Sequence, residues 1–95
     1  MLRLIFLLLP VFIFSKTLRV GKGERYPTIR QAVAASASGD SILVGPGIYR
    51  EGNISITHPL SLIGHGLPVL DGEMKYEILS FRANHILLKG FKIIN

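Results

Sequence analysis

The 95-residue chain contains no cysteine and only six acidic side chains. The absence of cysteine excludes disulfide bonds, thiolate metal ligands, a catalytic cysteine and a lipid anchor on an N-terminal cysteine. Charged residues make up only 18% of the chain, whereas hydrophobic residues make up 48%. This balance favours a packed core over disorder, and the length fits one small domain.

Basic side chains outnumber acidic ones, with eleven lysines and arginines giving a formal charge of +5. Such an excess can indicate a nucleic-acid or membrane partner. After residue 15, however, the basic residues stand singly, and no motif combines them with aromatic residues. We therefore expect no nucleic-acid partner and interpret the charge as that of a solvated surface.

The N-terminus carries a short hydrophobic segment. Arg3 precedes an apolar run from Leu4 to Phe14 that only Pro10 interrupts, and Lys16 ends it. As a helix, these eleven residues would span about 16 Å, whereas the hydrocarbon core of a bilayer is about 30 Å thick. The run is therefore too short for a stable anchor and is typical of a cleaved signal peptide.

We predict a signal peptide over residues 1–15 and a mature chain over residues 16–95 that is periplasmic or secreted. Cleavage after Ser15 would place Ile13 three residues before the cut. The export signal would then be the only contact with the membrane. A retained membrane tether is the alternative.

A helix is well marked in the first third of the mature chain. Thr28 is a good N-cap, and Gln31 three residues later completes a capping box. Small and aliphatic side chains recur with helical spacing and predict one inward stripe: Ile29, Ala32, Val33 and Ser36. We expect the helix to end by Ser38, with Gly39 at the C′ position.

The rest of the mature chain consists of short apolar runs separated by Gly, Pro, Asn and Asp. Several alternate with period two, so each would bury one face. We predict a first strand at Lys16–Val20, and the later runs are Ser41–Val44, Asn53–Thr57, Leu60–Ile63, Pro68–Leu70, Glu77–Phe81, His85–Lys89 and Phe91–Ile94. Two-residue hairpin turns of the Asn-Gly type are absent between them, which argues against antiparallel pairing.

A repeat near 25 residues connects these runs. Gly64 and Gly90 each end a run and are 26 residues apart, and segments 53–57 and 77–81 are offset by 24. Three short strands per repeat predict an all-β, right-handed parallel β-helix of about two to three coils. The helix would cap its open first end. Because the sequence stops at Asn95 within a coil, we interpret the solenoid as truncated.

Two stretches resemble known families. Tyr26-Pro-Thr-Ile-Arg-Gln-Ala-Val33, followed by Ser38-Gly-Asp-Ser-Ile-Leu-Val-Gly-Pro-Gly-Ile-Tyr-Arg-Glu51, is similar to the opening of pectin-lyase-like β-helix proteins. The second stretch is formed by segments 52–72 and 84–95, which together resemble NosD proteins. Segment 52–72 contains the runs Pro-Leu-Ser-Leu-Ile-Gly and Pro-Val-Leu-Asp-Gly. NosD proteins are periplasmic, copper-binding β-helix proteins that help to mature nitrous oxide reductase.

The NosD resemblance implies a non-enzymatic accessory role in the periplasm. It implies copper as the cofactor of the full-length protein, and nitrous oxide reductase and a membrane ABC transporter as partners. The pectin-lyase-like opening supports an alternative, the N-terminal part of an extracellular carbohydrate-active enzyme such as a pectate lyase or pectinesterase. A structural or sugar-binding solenoid is a third hypothesis.

Few residues are candidates for a site. Without cysteine, copper would need histidine or methionine ligands, which leaves His58, His65, His85 and Met74. None has the spacing of a local metal site, and we expect the three histidines to lie in surface turns. Asp71-Gly72-Glu73 is the nearest approach to an acidic cluster, but Asp-Gly is ordinary turn chemistry. The sequence therefore assigns no catalytic or cofactor-binding residue, and we expect Asp40 to fix a corner of the chain.

Overall fold

The structure, a computed structural model, describes residues 15–75 and 77–95, so the predicted signal peptide lies outside it except for Ser15. The described chain is a parallel β-solenoid of about three turns with one short helix, α1 (Ile29–Ala35). Its strands are β1 (Thr17–Val20), β2 (Asp40–Val44), β3 (Ile48–Tyr49), β4 (Ile54–Ile56), β5 (Leu60–Gly64), β6 (Val69–Asp71), β7 (Leu79–Phe81), β8 (Ile86–Lys89) and β9 (Lys92–Ile94). The predicted parallel β-helix fold is confirmed. No helix among the described residues is long and apolar enough to cross a membrane.

The strands form three parallel sheets, one for each side of the solenoid. Their orders are β1-β2-β5-β8, β3-β6-β9 and β4-β7. Every strand therefore pairs with its counterpart one coil away, as the repeat predicted. Strand β3 was not predicted from the sequence, because two residues are too few to show an alternating pattern.

The predicted coil offset is confirmed for β5 with β8 and is wrong by one residue for β4 with β7. The preceding coil is shorter than the predicted repeat, since Asp40 pairs with Leu60 at an offset of 20. Leu60 pairs with Ile86, which gives the expected 26-residue offset. Ile54 pairs with Leu79, an offset of 25 and not the predicted 24. A one-residue slip exchanges the two faces of a strand, and here the observed register stacks Ser55 on Ser80 along the outer face.

The core fills the space between the sheets and the helix. Alternation along β2 and β4 turns Ile42, Val44, Ile54 and Ile56 inward, and each is at most 3% exposed. Burying a side chain of this size contributes about 1.5–3 kcal/mol. The remaining buried apolar side chains are Leu18, Val20, Ile29, Ala32, Val33, Leu60, Leu62 and Leu70. The helix therefore packs on the first coils, as expected of a cap.

The helix begins as predicted, but its C-terminal cap differs from the prediction. The Thr28 hydroxyl accepts from Gln31 N, and Gln31 Oε1 accepts from Thr28 N, so the capping box forms. The last helical residue is Ala35, and the half-buried Ser36 has an extended backbone. The helix therefore ends before Ser38, as predicted, but Ser36 is the C-cap, so the prediction of Gly39 at the C′ position is wrong. The buried Asp40 carboxylate accepts from Ala37 N at 2.8 Å and thereby fixes this segment as a corner into β2.

Gly64 and Gly90 lie in a place where successive coils approach closely. In the sheet register Gly64 follows Val44, which follows Val20, so β1 and β2 carry valine at this level. A Cβ added to Gly64 would overlap the Gly90 carbonyl oxygen and would lie 2.8 Å from the Gly90 carbonyl carbon. The two glycines therefore allow a backbone contact that a side chain would prevent.

Candidate functional site: a polar cleft beside the capping helix

A cleft of about 490 Å³ lies between α1, β4 and the corner that follows β4. Its lining combines a guanidinium, an imidazole and three hydroxyl groups with a few apolar side chains. The lining residues are Arg30, Val33, Ala34, Ser36, Ile54, Ser55, Thr57 and His58. It is larger than the cleft beside His65.

The secondary structure explains which side chains reach this cleft. Alternation in β4 buries Ile54 and Ile56 and leaves Ser55 exposed between them. The strand ends there, so Thr57 and His58 follow at the corner. The polar wall of the cleft is therefore a by-product of the same pattern that builds the core.

Arg30 is fixed at one edge of the cleft. Its Nη1 donates to the carbonyl oxygens of Glu51, at 2.7 Å, and Asn53, at 2.9 Å. The Glu51 carboxylate accepts from Ile29 N and Arg30 N and so satisfies two free amides at the helix N-terminus.

Glu51 also affects Tyr49. Burial of the Tyr49 ring is the larger cause, and the charge of Glu51 the smaller cause, of a raised pKa of the Tyr49 hydroxyl.

The tautomer of neutral His58 follows from its contacts. The Ser36 Oγ lies 2.7 Å from the Val33 carbonyl oxygen, which can only accept, so the hydroxyl must donate to it. His58 Nε2 lies 2.8 Å from the same Oγ and must therefore donate its own proton. In neutral His58 the Nδ1 atom then carries the free lone pair. That atom is able to accept a hydrogen bond or to bind a metal ion.

The other predicted candidates are exposed. His65 lies in the corner after β5, beside a smaller cleft of about 140 Å³ that Glu24 and Arg19 also line. His85 is exposed with a φ of 59°, and Met74 is 84% exposed. In the sheet register His85 stands opposite Pro59, so it shares a corner of the solenoid with His58 but not with His65.

The structure does not bring the three histidines to one place in the sheet register. Within residues 15–75 and 77–95, no three His, Asp or Glu side chains form a group that would hold a metal ion. The candidate histidines therefore share no geometry beyond the corner of His58 and His85.

The two buried carboxylates have structural partners. Asp40 accepts from Lys16 Nζ, Ala37 N and Lys16 N, and these bonds lower its pKa to about 2. Its predicted role in a corner is confirmed.

Asp71 is the last residue of β6 and precedes the turn at residues 73–75, so the turn expected near Asp-Gly follows the strand. It accepts from Asn95 Nδ2 at 3.0 Å, from Glu73 N at 2.8 Å and from Arg50 Nε at 3.1 Å. The bond from Asn95 is the largest of several causes that lower the pKa of this carboxyl. Asp71 therefore links three segments of consecutive coils.

Sequence reasoning assigned no role in a site to Arg30, Ser36 or Glu51. Arg30 and Ser36 lie on or next to the helix, but their partners come from segments 21 or 22 residues further along the chain. A local pattern does not contain that information. The coil repeat was the one available signal, because it places the residues around 51–58 next to the helix.

Fold and cleft together define a parallel β-solenoid protein with a polar groove beside its capping helix. No known protein family, curated protein or solved structure matches the chain in the comparisons made. The fold class is therefore the only classification that the chain itself supports.

Proposed function

We propose that this chain belongs to an exported, NosD-like β-solenoid protein that assists copper-site maturation of nitrous oxide reductase. The observation that carries the proposal is the stacking of the two resembling stretches, residues 52–72 and 84–95. Their strands pair as β5 with β8 and β6 with β9, in the register expected from the internal repeat of these stretches. The partners would be the reductase and a membrane ABC transporter.

The use of the carboxylates favours an accessory role over an enzyme. A lyase or glycosidase gathers acidic side chains on one face, for a metal ion or for paired acid and base catalysis. Here Asp40 binds Lys16, and Asp71 binds Arg50 and Asn95. Each of these carboxylates supports the fold at a different corner.

Copper is the proposed cofactor of the full-length protein, and His58 Nδ1 is the best-defined candidate ligand. Imidazole suits copper well, but a single imidazole at a surface cleft binds it weakly. We expect titration calorimetry with Cu²⁺ to show weak binding that His58→Ala reduces and His85→Ala leaves unchanged. A tight, stoichiometric site would overturn the interpretation of the histidines as surface residues.

The decisive experiment is deletion of the gene in its own host under denitrifying conditions. We expect the nitrous oxide reductase to be produced with less copper, measured as metal per purified enzyme, and the intact gene to restore it. A fully loaded reductase, together with lost growth on pectin, would overturn the proposal in favour of a carbohydrate-active protein. We also expect no turnover of pectin by the chain itself.

The genes next to the coding region give an independent test. Reductase and copper-transporter genes beside it would support the maturation role. Sugar-uptake genes, with an open reading frame that encodes paired aspartates on one strand, would contradict it.

A further inference from the structure

Lys16 is held by every polar group it has. Its backbone N donates to Asp40 Oδ1 at 3.0 Å, and its Nζ donates to Asp40 Oδ2 at 2.7 Å. Its carbonyl oxygen accepts from Ser41 N at 2.9 Å. Ser15, directly before it, is exposed. The backbone N of Lys16 therefore lies against a buried carboxylate.

The Asp40 carboxylate has two contacts with Lys16, and only one of them carries a positive charge. It is 1% exposed, whereas the Lys16 side chain is 56% exposed. The ammonium group therefore belongs to a largely exposed side chain, and its hydrogen bond is the largest of the causes that lower the pKa of Asp40. The amide N of Lys16 faces the other carboxylate oxygen, Asp40 Oδ1, but is neutral while the bond to Ser15 is intact.

We propose that the Ser15–Lys16 bond is the processing site and that the new α-ammonium group of Lys16 forms an ion pair with Asp40. A signal peptidase would hydrolyse this amide: the water oxygen joins the Ser15 carbonyl carbon, the C–N bond breaks, and the released nitrogen is protonated. Ser15 leaves with a carboxylate, and Lys16 gains a charge at the atom that already faces Asp40. The inference rests on the proposed export, but not on copper or on the reductase.

The proposal explains why a buried aspartate begins β2. In the sheet register Asp40 stands opposite Leu60, which stands opposite Ile86, so later coils carry apolar residues at this level. Only the first coil has an N-terminus beside it. Removal of the signal peptide would then complete the polar end of the solenoid.

Few charged side chains lie near Lys16. Arg19, Glu24 and Arg25 line the same cleft along β1, with Tyr26. His58 contacts the segment before Asp40 through its hydrogen bond with the Ser36 hydroxyl. None of these groups replaces Asp40 as the direct partner of Lys16 N.

The first test is to export the full precursor from a bacterial host and determine the N-terminus of the product by mass spectrometry. We expect it to begin at Lys16. The Asp40→Asn precursor is expected to be cut at the same bond, because the peptidase acts on the unfolded chain. An intact precursor, or a product that begins elsewhere, would overturn the proposal.

The second test compares this product with one from a precursor that has a glycine inserted between Ser15 and Lys16. The insertion keeps the Lys16 N–H donor but moves the α-ammonium group away from Asp40. We expect the folding equilibrium constant, measured in urea at pH 7, to fall about tenfold, as for the loss of a charged hydrogen bond. The difference should vanish in Asp40→Asn and persist in Asp71→Asn, which changes a carboxylate elsewhere. If, with Asp40 intact, the product that begins at Lys16 and the product with the inserted glycine were equally stable, the proposal would be overturned.

The pH dependence of the stability difference between the two products separates an ion pair from a purely structural effect of the insertion, because only the ion pair depends on the charge of the α-ammonium group. An ion pair raises the pKa of the α-ammonium group above its usual value of about 7.7–8.0. Its stabilisation is therefore complete below about pH 8 and is lost as the pH rises through the raised pKa. We expect the difference between the two products to shrink over that range, and a constant difference would count against the ion pair. A Lys16 terminus in a protein without effect on the reductase would disprove only the proposed function.

Discussion

Replacing Gly64 with alanine tests the close contact between the second and third coils. The added Cβ would overlap the Gly90 carbonyl oxygen and would lie 2.9 Å from Pro68 Cδ. The obstacle is backbone, which no rotamer change relieves. The coils must therefore separate at this corner or the end of the β5–β8 ladder must open.

The expected cost follows from the kind of obstacle. Overpacking costs about 1–3 kcal/mol when side chains give way, so a backbone clash should lie near the upper end, about 3 kcal/mol. A domain of this size is stable by only about 4–12 kcal/mol. The melting temperature, followed by circular dichroism, should then fall by about 12–24 °C.

Gly45→Ala is the matched control. The nearest atom to its added Cβ is the Val20 carbonyl oxygen at 3.3 Å, and its φ is not in the left-handed region. We expect its stability to stay within about 1 kcal/mol of the wild type. If Gly64→Ala were neutral or stabilising, as alanine is at an unobstructed position, the close approach of the coils would be refuted.

Three further changes test the core, the cap and the buried carboxylate. Leu62→Ala, at a fully buried position, should lower the free energy of unfolding measured in urea by about 2–5 kcal/mol. Leu87→Ala is the control: this side chain is 47% exposed, and its loss should cost less than about 1 kcal/mol. Similar losses in the two variants would contradict the observed orientation of the side chains of β5 and β8. Thr28→Ala removes the capping box and should cost about 1 kcal/mol, and an unchanged urea midpoint would disprove the capping. Because folding lowers the pKa of Asp40 from 3.8 to about 2, its contribution is present above about pH 4 and is lost as the pH falls through about 2. Stability measured from pH 5 to 2 should show this loss, and Asp40→Asn should reduce it.

The solenoid itself could be predicted because its determinants are local or periodic. The capping box needs only Thr28 and Gln31, and the coil repeat was visible in Gly64 and Gly90. The register of β4 with β7 was less well determined, since Ile54 has two apolar candidates one residue apart. Ile78 remains half-buried beside the core and Leu79 takes the paired position. Composition alone does not distinguish the two.

The candidate site was largely hidden in the sequence. His58 was a candidate, but its Ser36 partner and the nearby Arg30 depend on how the helix lies on the coils. The helix end was also misjudged, because Gly39 is a good C′ residue by type, whereas the Asp40 carboxylate captures Ala37 N first. A contact across a coil length decides the first point, whereas a side chain three residues away decides the second.

The single aspartate at the start of β2 constrains how such a solenoid can lengthen. A tandem copy of residues 60–85 would bring only apolar residues to the level of Asp40, since Leu60 and Ile86 already stand there. A copy of residues 40–59 would instead place a second carboxylate inside the stack, away from Lys16 and Ala37, at the cost of an unpaired buried charge. Insertion of extra repeats by duplication should therefore succeed with the second coil and fail with the first. The fold thus carries a directionality in its evolution and in its use as a design scaffold: it can grow from the interior but not from its capped end.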